Sequence, residues 1–215
     1  MTAEFTTDRD RIQNTALRIH GDFRGTFSVE TIERLLADSI EQLSNGAATT
    51  AFVPLLAERF TKERLRAVAK VERPKTNNKP TVLFLCVHNA GRSQMAAGWL
   101  QHLAGDQVDV LSGGSAPAEQ VNASAIESMN EVGIDIASSY PKPWTQETLK
   151  FADVVVTMGC GDACPVIPGK RYVDWEIDDP ASKALAEIRP IRDDIEQRVR
   201  RLMSELSIGP EQQGV

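Results

Sequence analysis

The sequence predicts an α/β fold, a doubly wound four-stranded parallel sheet preceded by a small three-helix bundle. Up to about residue 73, apolar residues recur only at helical spacing. From Thr81 onward, short apolar runs alternate with helical stripes, the pattern of strands joined by crossover helices. Between the two patterns lies Glu72-Arg-Pro-Lys-Thr-Asn-Asn-Lys-Pro80, a polar stretch with two prolines that reads as a linker. The expected division is a bundle at 1–73, a linker at 74–80 and a second domain at 81–215. A chain of 215 residues is long enough for one well-packed domain and a smaller companion.

In the bundle, Ile12, Ala16, Ile19 and Phe23 share one helical face. Val29, Ile32, Leu36, Ile40 and Leu43 form a second stripe, opened by Ser28 as N-cap and closed by Gly46. Val53, Leu56 and Phe60 start a third, from which Leu65 and Val68 drift away. In the second domain, strands are expected at 81–87, 108–112, 152–157 and 170–173, the third buried on both faces because it is continuously apolar. Helices are expected at 93–104, with Met95, Trp99 and Leu103 inward, and at 122–132, ended by Gly133. A last helix is expected from Pro190, a tolerated first-turn residue, with Ile191, Ile195, Val199, Leu202 and Leu206 on one face. The tail from Ile208 to Val215 is expected to be disordered.

A net charge of −6 argues against general binding to nucleic acid or anionic membranes. The first ten residues are polar and charged, unlike a signal peptide. No apolar run approaches the ~20 residues that span a bilayer. The expected compartment is the cytoplasm. The three cysteines, Cys86, Cys160 and Cys164, are too few for an extracellular disulfide framework. In a reducing compartment they read as reactive, although each has an ordinary alternative as a small core residue.

The chemistry concentrates in Cys86-Val87-His88-Asn89-Ala90-Gly91-Arg92-Ser93, which joins the first strand to a helix. Unpaired N–H groups of such a loop and of the first helical turn converge on a tetrahedral oxyanion, and the helix dipole adds positive potential. The same field stabilises a thiolate at Cys86. Arg92 can grip two oxygens of the anion. Asn89 tolerates a left-handed backbone, Gly91 permits close approach, and the Ser93 hydroxyl can donate to the sulfur. His88 can act through its ring as a base, or through its backbone N–H alone with the ring in solvent. Downstream, Ile177-Asp178-Asp179-Pro180 offers a carboxyl that proximity to an anion would push toward its protonated form, suited to protonating a leaving oxygen. The alternative is a plain turn. Between them, Val156-Thr-Met-Gly-Cys160-Gly-Asp-Ala-Cys164-Pro165 follows the third strand and should overhang the same sheet edge. Its two thiols can pair in a mobile loop. A zinc site lacks a second cysteine pair or a nearby histidine to complete four ligands, so neither metal nor cofactor is expected.

On three motifs the chain from about Thr81 to Leu206 resembles arsenate reductases of the low-molecular-weight tyrosine phosphatase fold. They are Cys86-x5-Arg92-Ser93-Gln94-Met95-Ala96, Thr157-x2-Cys160-Gly-Asp-Ala-Cys164-Pro165 and Asp178-Asp179-Pro180-Ala181. In the phosphatase branch, proline usually stands at Gln94 and an aromatic residue at Ala181, so both choices favour the reductase branch. The resemblance implies Cys86 as nucleophile, Val87 to Arg92 as anion cradle, Asp179 as acid, and Cys160 and Cys164 as resolving thiols that end as a disulfide. It implies arsenate as substrate, phosphate or sulfate as competing oxyanions, and thioredoxin as reductant. The cysteine pair is closer than in many thioredoxin-coupled members, which leaves its order of attack open. Ala97 replaces an acidic residue of potassium-binding members and Lys142 falls at another ligand position. No potassium dependence is therefore expected, with the Lys142 ammonium standing in for the cation; activity rising sharply with potassium would count against that.

The N-terminal helices resemble an accessory bundle found before such domains in actinobacterial-type proteins. A helix-turn-helix DNA reader is the alternative, disfavoured by the acidic residues mixed among the basic ones of 62–75. Two rival functions remain open at this level. One is a tyrosine phosphatase whose extra cysteines only protect Cys86 from oxidation. The other is an oxyanion or redox sensor without turnover.

Overall fold

The computed structural model describes residues 8–23, 25–45, 51–72, 79–159 and 166–209. The chain divides into two compact units, 1–74 and 75–215. The first holds three helices, α1 (Asp8–Asp22), α2 (Val29–Ser44) and α3 (Val53–Glu72). Ser28 caps α2 by accepting the Thr31 N–H at 3.2 Å; Gly46 lies outside the described residues. Ala16, Ile19, Ile32, Leu36, Ala57, Phe60 and Leu65 are all but inaccessible to water. The drift in the third stripe has a specific cause. Position 64 faces the core but carries arginine, so the apolar face continues at Leu65 and Ala67 instead. Arg64 pairs there with Asp38, donates to Ser39 Oγ at 3.1 Å and lies over the Phe60 ring.

The second unit runs β1 (Thr81–Cys86), α4 (Arg92–Ala104), a 3-10 turn (Gly105–Gln107), β2 (Asp109–Gly114), α5 (Ala123–Asn130), α6 (Gln146–Phe151), β3 (Val154–Met158), β4 (Arg171–Asp174) and α7 (Leu185–Glu205). The strands are all parallel, in the order β2-β1-β3-β4. Side chains of β1 alternate between two cores. Val82, Phe84 and Cys86 pack with α4, α5 and α7, while Leu83 and Leu85 pack with Leu149 of α6 and Val155 of β3. Helices thus cover both faces, as double winding requires. The chain moves from β1 to β2 on one side and returns to β3 on the other. The crevice of such a sheet opens at that switch, beyond the carboxyl ends of the strands. Cys86 is the last residue of β1, which places it there.

Four expectations are corrected. α7 begins at Leu185, not near Pro190, because the Glu187 carboxylate accepts the Ala184 N–H at 3.0 Å and Ile188 adds a buried residue to the stripe. Pro190, in the second turn, forgoes one helical hydrogen bond there. α6 was not anticipated; it is a short helix set by the reciprocal Thr145–Thr148 capping box. The tail is not disordered at its start: Ile208 is buried against the main core and Gly209 O accepts from Gln107 Nε2 at 3.0 Å. The expected linker also ends inside the fold, since Lys79 pairs with Asp109 and Pro80 O accepts the Asp109 N–H. Among the described residues, no helix is long and apolar enough to cross a membrane.

Candidate active site

The loop after β1 is built so that its carbonyls face away from its concave side. Cys86, Val87 and His88 carbonyls accept the N–H groups of Ser115, Ala116 and Ala118, and Ala90 O accepts that of Asn122. Asn89 O accepts the Gln94 side chain at 2.9 Å, and Gly91 O accepts the Met95 N–H that starts α4. Six successive carbonyls are therefore held outward, which leaves the peptide N–H groups directed toward the interior of the loop. The N-cap of α4 is Gly91, without a side-chain cap, so no side chain competes for the N–H groups of the first turn. Such a backbone cradle is shaped to accept an anion.

The sulfur sits at its base. Cys86 is 2 % exposed, and its Sγ receives the Asn89 N–H at 3.2 Å and lies 3.0 Å from Ser93 Oγ. Asn89 adopts the left-handed conformation expected of it, at φ 47°. The direction of the hydrogen bonds around it follows from groups that can only donate. Lys142 N–H meets Asn89 Oδ1 at 3.0 Å, which fixes that atom as oxygen. Asn89 Nδ2 then faces Ser93 Oγ at 2.9 Å and donates to it. The Ser93 hydroxyl is left to donate to Cys86 Sγ. Two donors thus converge on the sulfur, an arrangement suited to a nucleophilic sulfur.

Arg92 is 8 % exposed and spans the mouth of the loop. It donates to Asp179 Oδ2 at 2.8 Å and to Ile177 O at 3.3 Å, which brings the segment after β4 against the cradle. Asp179 Oδ1 accepts the Ala181 N–H, while Asp178 pairs outward with Lys183. A pocket forms between them, lined by Cys86, His88, Ala90, Gly91, Arg92, Asn122, Asp179, Pro180 and Ala181. Gly91 is required here, because a Cβ on it would fall 2.4 Å from the Pro180 ring. The arrangement can hold a small tetrahedral oxyanion over a nucleophilic sulfur, with a carboxyl at the opposite side.

Residues 81–211 match the family model described as low molecular weight phosphotyrosine protein phosphatase. The chain belongs to this family. Residues 12–69 match a second model, the N-terminal domain of protein-tyrosine-phosphatase-like proteins. A thioredoxin-dependent arsenate reductase of Corynebacterium glutamicum superposes with a TM-score of 0.81 at 40% identity, covering 91% of this chain and 96% of that one. Arsenate reductase 2 of Staphylococcus epidermidis is 42% identical over 57% of this chain and 95% of its own length. An arginine phosphatase of Geobacillus stearothermophilus shares 27% identity over 60% of the chain, with a TM-score of 0.51.

Within this phosphatase-family domain, the sequence-derived residues do not all converge. Cys86, Val87, His88, Asn89, Ala90, Gly91, Arg92, Ser93 and Asp179 share one site, with the His88 side chain exposed at its rim. Lys142 stands behind the cradle: its backbone N–H supports Asn89 and its ammonium lies 4.8 Å from the centre of the Tyr140 ring. Cys160 and Cys164 fall outside the described residues. Gly159, just before them, has φ 72° and passes so close to Arg92 that a Cβ would meet Nη1 at 2.9 Å. Sequence reading missed the strip 115–122 that receives the loop carbonyls, and Asn122 in the pocket wall. The signal available for the latter was its spacing as an N-cap before Ala125, since its side chain accepts that N–H at 3.0 Å.

Proposed function

We propose that this protein reduces arsenate to arsenite, with a dithiol reductant of the thioredoxin type closing the cycle in the cytoplasm, where thiols stay reduced. What carries the reading is the pairing of a tetrahedral-anion cradle around a single sulfur with 40% identity, through 91% of the chain, to a thioredoxin-dependent arsenate reductase. Arsenate enters the loop and exchanges with Asp179 for the Arg92 guanidinium. The Cys86 thiolate forms a bond to arsenic, and one arsenic–oxygen bond breaks with the oxygen protonated by Asp179 and released as water. Cys160 then attacks Cys86 Sγ. A sulfur–sulfur bond forms, the sulfur–arsenic bond breaks, and its electron pair stays on arsenic, which leaves as arsenite. Cys164 attacks Cys160, so the disulfide moves to 160–164 and Cys86 departs as thiolate. Two electrons and two protons from an external dithiol restore the pair. Phosphate and sulfate, with the same shape and charge class, should compete for the loop.

Reduced protein incubated with arsenate alone tests this. One equivalent of arsenite and a 160–164 disulfide in the peptide map is the expected result; no arsenite rules the reading out. The same cradle would also support phosphate-ester hydrolysis, the chemistry named for the family. Cys160→Ser separates the two, because arsenate turnover should collapse while any hydrolysis should persist.

A further inference from the structure

Gln94 takes no direct part in the proposed chemistry. It is the third residue of α4, 3 % exposed, and its Nε2 faces three oxygens: Asn89 O at 2.9 Å, Asn89 Oδ1 at 3.1 Å and Tyr140 O at 3.2 Å. Two of these are backbone carbonyls, which only accept, so the facing atom must be the amide nitrogen. A glutamine at the third helical position normally reaches back to the N-cap N–H with its oxygen. Here the side chain reaches further, to a residue outside the helix, and donates.

From this geometry we infer that Gln94 is a positioning residue for Cys86. Its amide holds both ends of Asn89, the carbonyl and the side-chain oxygen, and so keeps that residue at its left-handed φ of 47°. Two consequences reach the sulfur. The Asn89 N–H stays aimed at Cys86 Sγ, and Asn89 Nδ2 stays on Ser93 Oγ, which keeps the serine hydroxyl turned toward the sulfur. The bond to Tyr140 O anchors the same amide to the segment whose Lys142 N–H supports Asn89 from the other side. A carboxylate at position 94 would place a further acceptor among three acceptors. Proline there would leave all three without this donor. The inference rests on the proposed function only for what Cys86 attacks; the reactivity of the thiol itself can be read separately.

The test uses the full-length reduced protein, with Gln94→Met to remove the donor at similar length and Gln94→Glu to reverse it. Peptide-resolved alkylation of Cys86 by iodoacetamide is followed against pH, and inorganic phosphate affinity is measured alongside. The other charged or titratable groups lining the Cys86 pocket, His88, Arg92 and Asp179, are unchanged in both variants. Weakening the donors around the sulfur should move the pH profile of alkylation up by about one unit, with Gln94→Glu affected more. Phosphate affinity should fall in parallel. A folded Gln94→Met protein with the parental profile would overturn the inference. So would one that fails to fold, since the amide would then be holding the domain and not one sulfur. A parental protein that alkylates as expected but forms no arsenite would sink the reductase reading and leave this one standing.

Discussion

The two units bury polar side chains for different ends. In the bundle, Ser39 and Thr61 are inaccessible, and each donates to a carbonyl one turn back in its own helix. Arg64, 4 % exposed, is closed off by Asp38, Ser39 and Phe60. The hydroxyl bonds stay within one helix and the Arg64 bonds tie α3 to α2, so these groups are consumed by packing. In the α/β unit, Asn89, Ser93 and Gln94 are equally buried, but one line of their bonds runs from Gln94 through Asn89 and Ser93 to Cys86 Sγ. Burial of polar groups therefore marks function only where the chain of donors terminates on a reactive atom. A buried arginine alone, as in the bundle, does not.

The largest effect should come from Cys86→Ser. Arsenite production should fall to the uncatalysed background, while urea denaturation of the full chain stays near the parental curve, because the hydroxyl fits the same space. If the variant kept turnover, the donor chain would lose its meaning. Asp179→Asn retains the contact with Arg92 through its carbonyl oxygen but is a poor proton donor. Arsenate turnover should drop by about 100-fold, with Cys86 alkylation little changed. The reverse pattern should follow from Phe60→Ala in the bundle. Emptying this fully buried ring position should cost about 3–5 kcal/mol by denaturant titration, yet leave Cys86 alkylation under native conditions unaltered. A bundle variant that altered the thiol would break the contrast.

The smallest effect concerns acid stability of the bundle. Burial pushes the Glu58 carboxyl up, but its bonds to Arg18 and Lys62 outweigh that and leave it below the usual range. The Lys62 bond likewise lowers Asp22. A carboxyl lowered by folding stabilises the folded state above its unfolded-state value. That contribution disappears as pH falls through the ordinary carboxylate range and below it. Stability should thus decline in acid, and Glu58→Gln should flatten the decline at a cost of at most about 1 kcal/mol near neutrality, since these partners are partly exposed. An unchanged acid profile in that variant would show the ion pairs to be idle.

Much of this was legible from residues alone where the signal is local. Cys86, Arg92 and Ser93 lie within eight positions, so the strand-to-helix loop announces itself. Stripes such as Ile32–Leu36 and Ile191–Ile195–Val199 follow from helical period. α6 escaped notice because six residues carry too little periodicity. The start of α7 was misplaced because Pro190 is an attractive first-turn residue, and only Glu187 folding back on Ala184 shows the earlier start.

The amino-acid order by itself determined the alternation of strands and helices, the position of the thiol at a strand end, and the glycine and asparagine that let the loop turn. All are properties of neighbouring residues, set by backbone sterics and period. Tertiary structure decided which distant groups hold that loop: Ser115, Ala116, Ala118 and Asn122 on its carbonyls, Tyr140 and Lys142 behind Asn89, and Asp179 on Arg92. Such partners lie from 29 to 87 positions away from the residues they hold. Their choice depends on how parallel strands order themselves in the sheet, and no local pattern encodes that order.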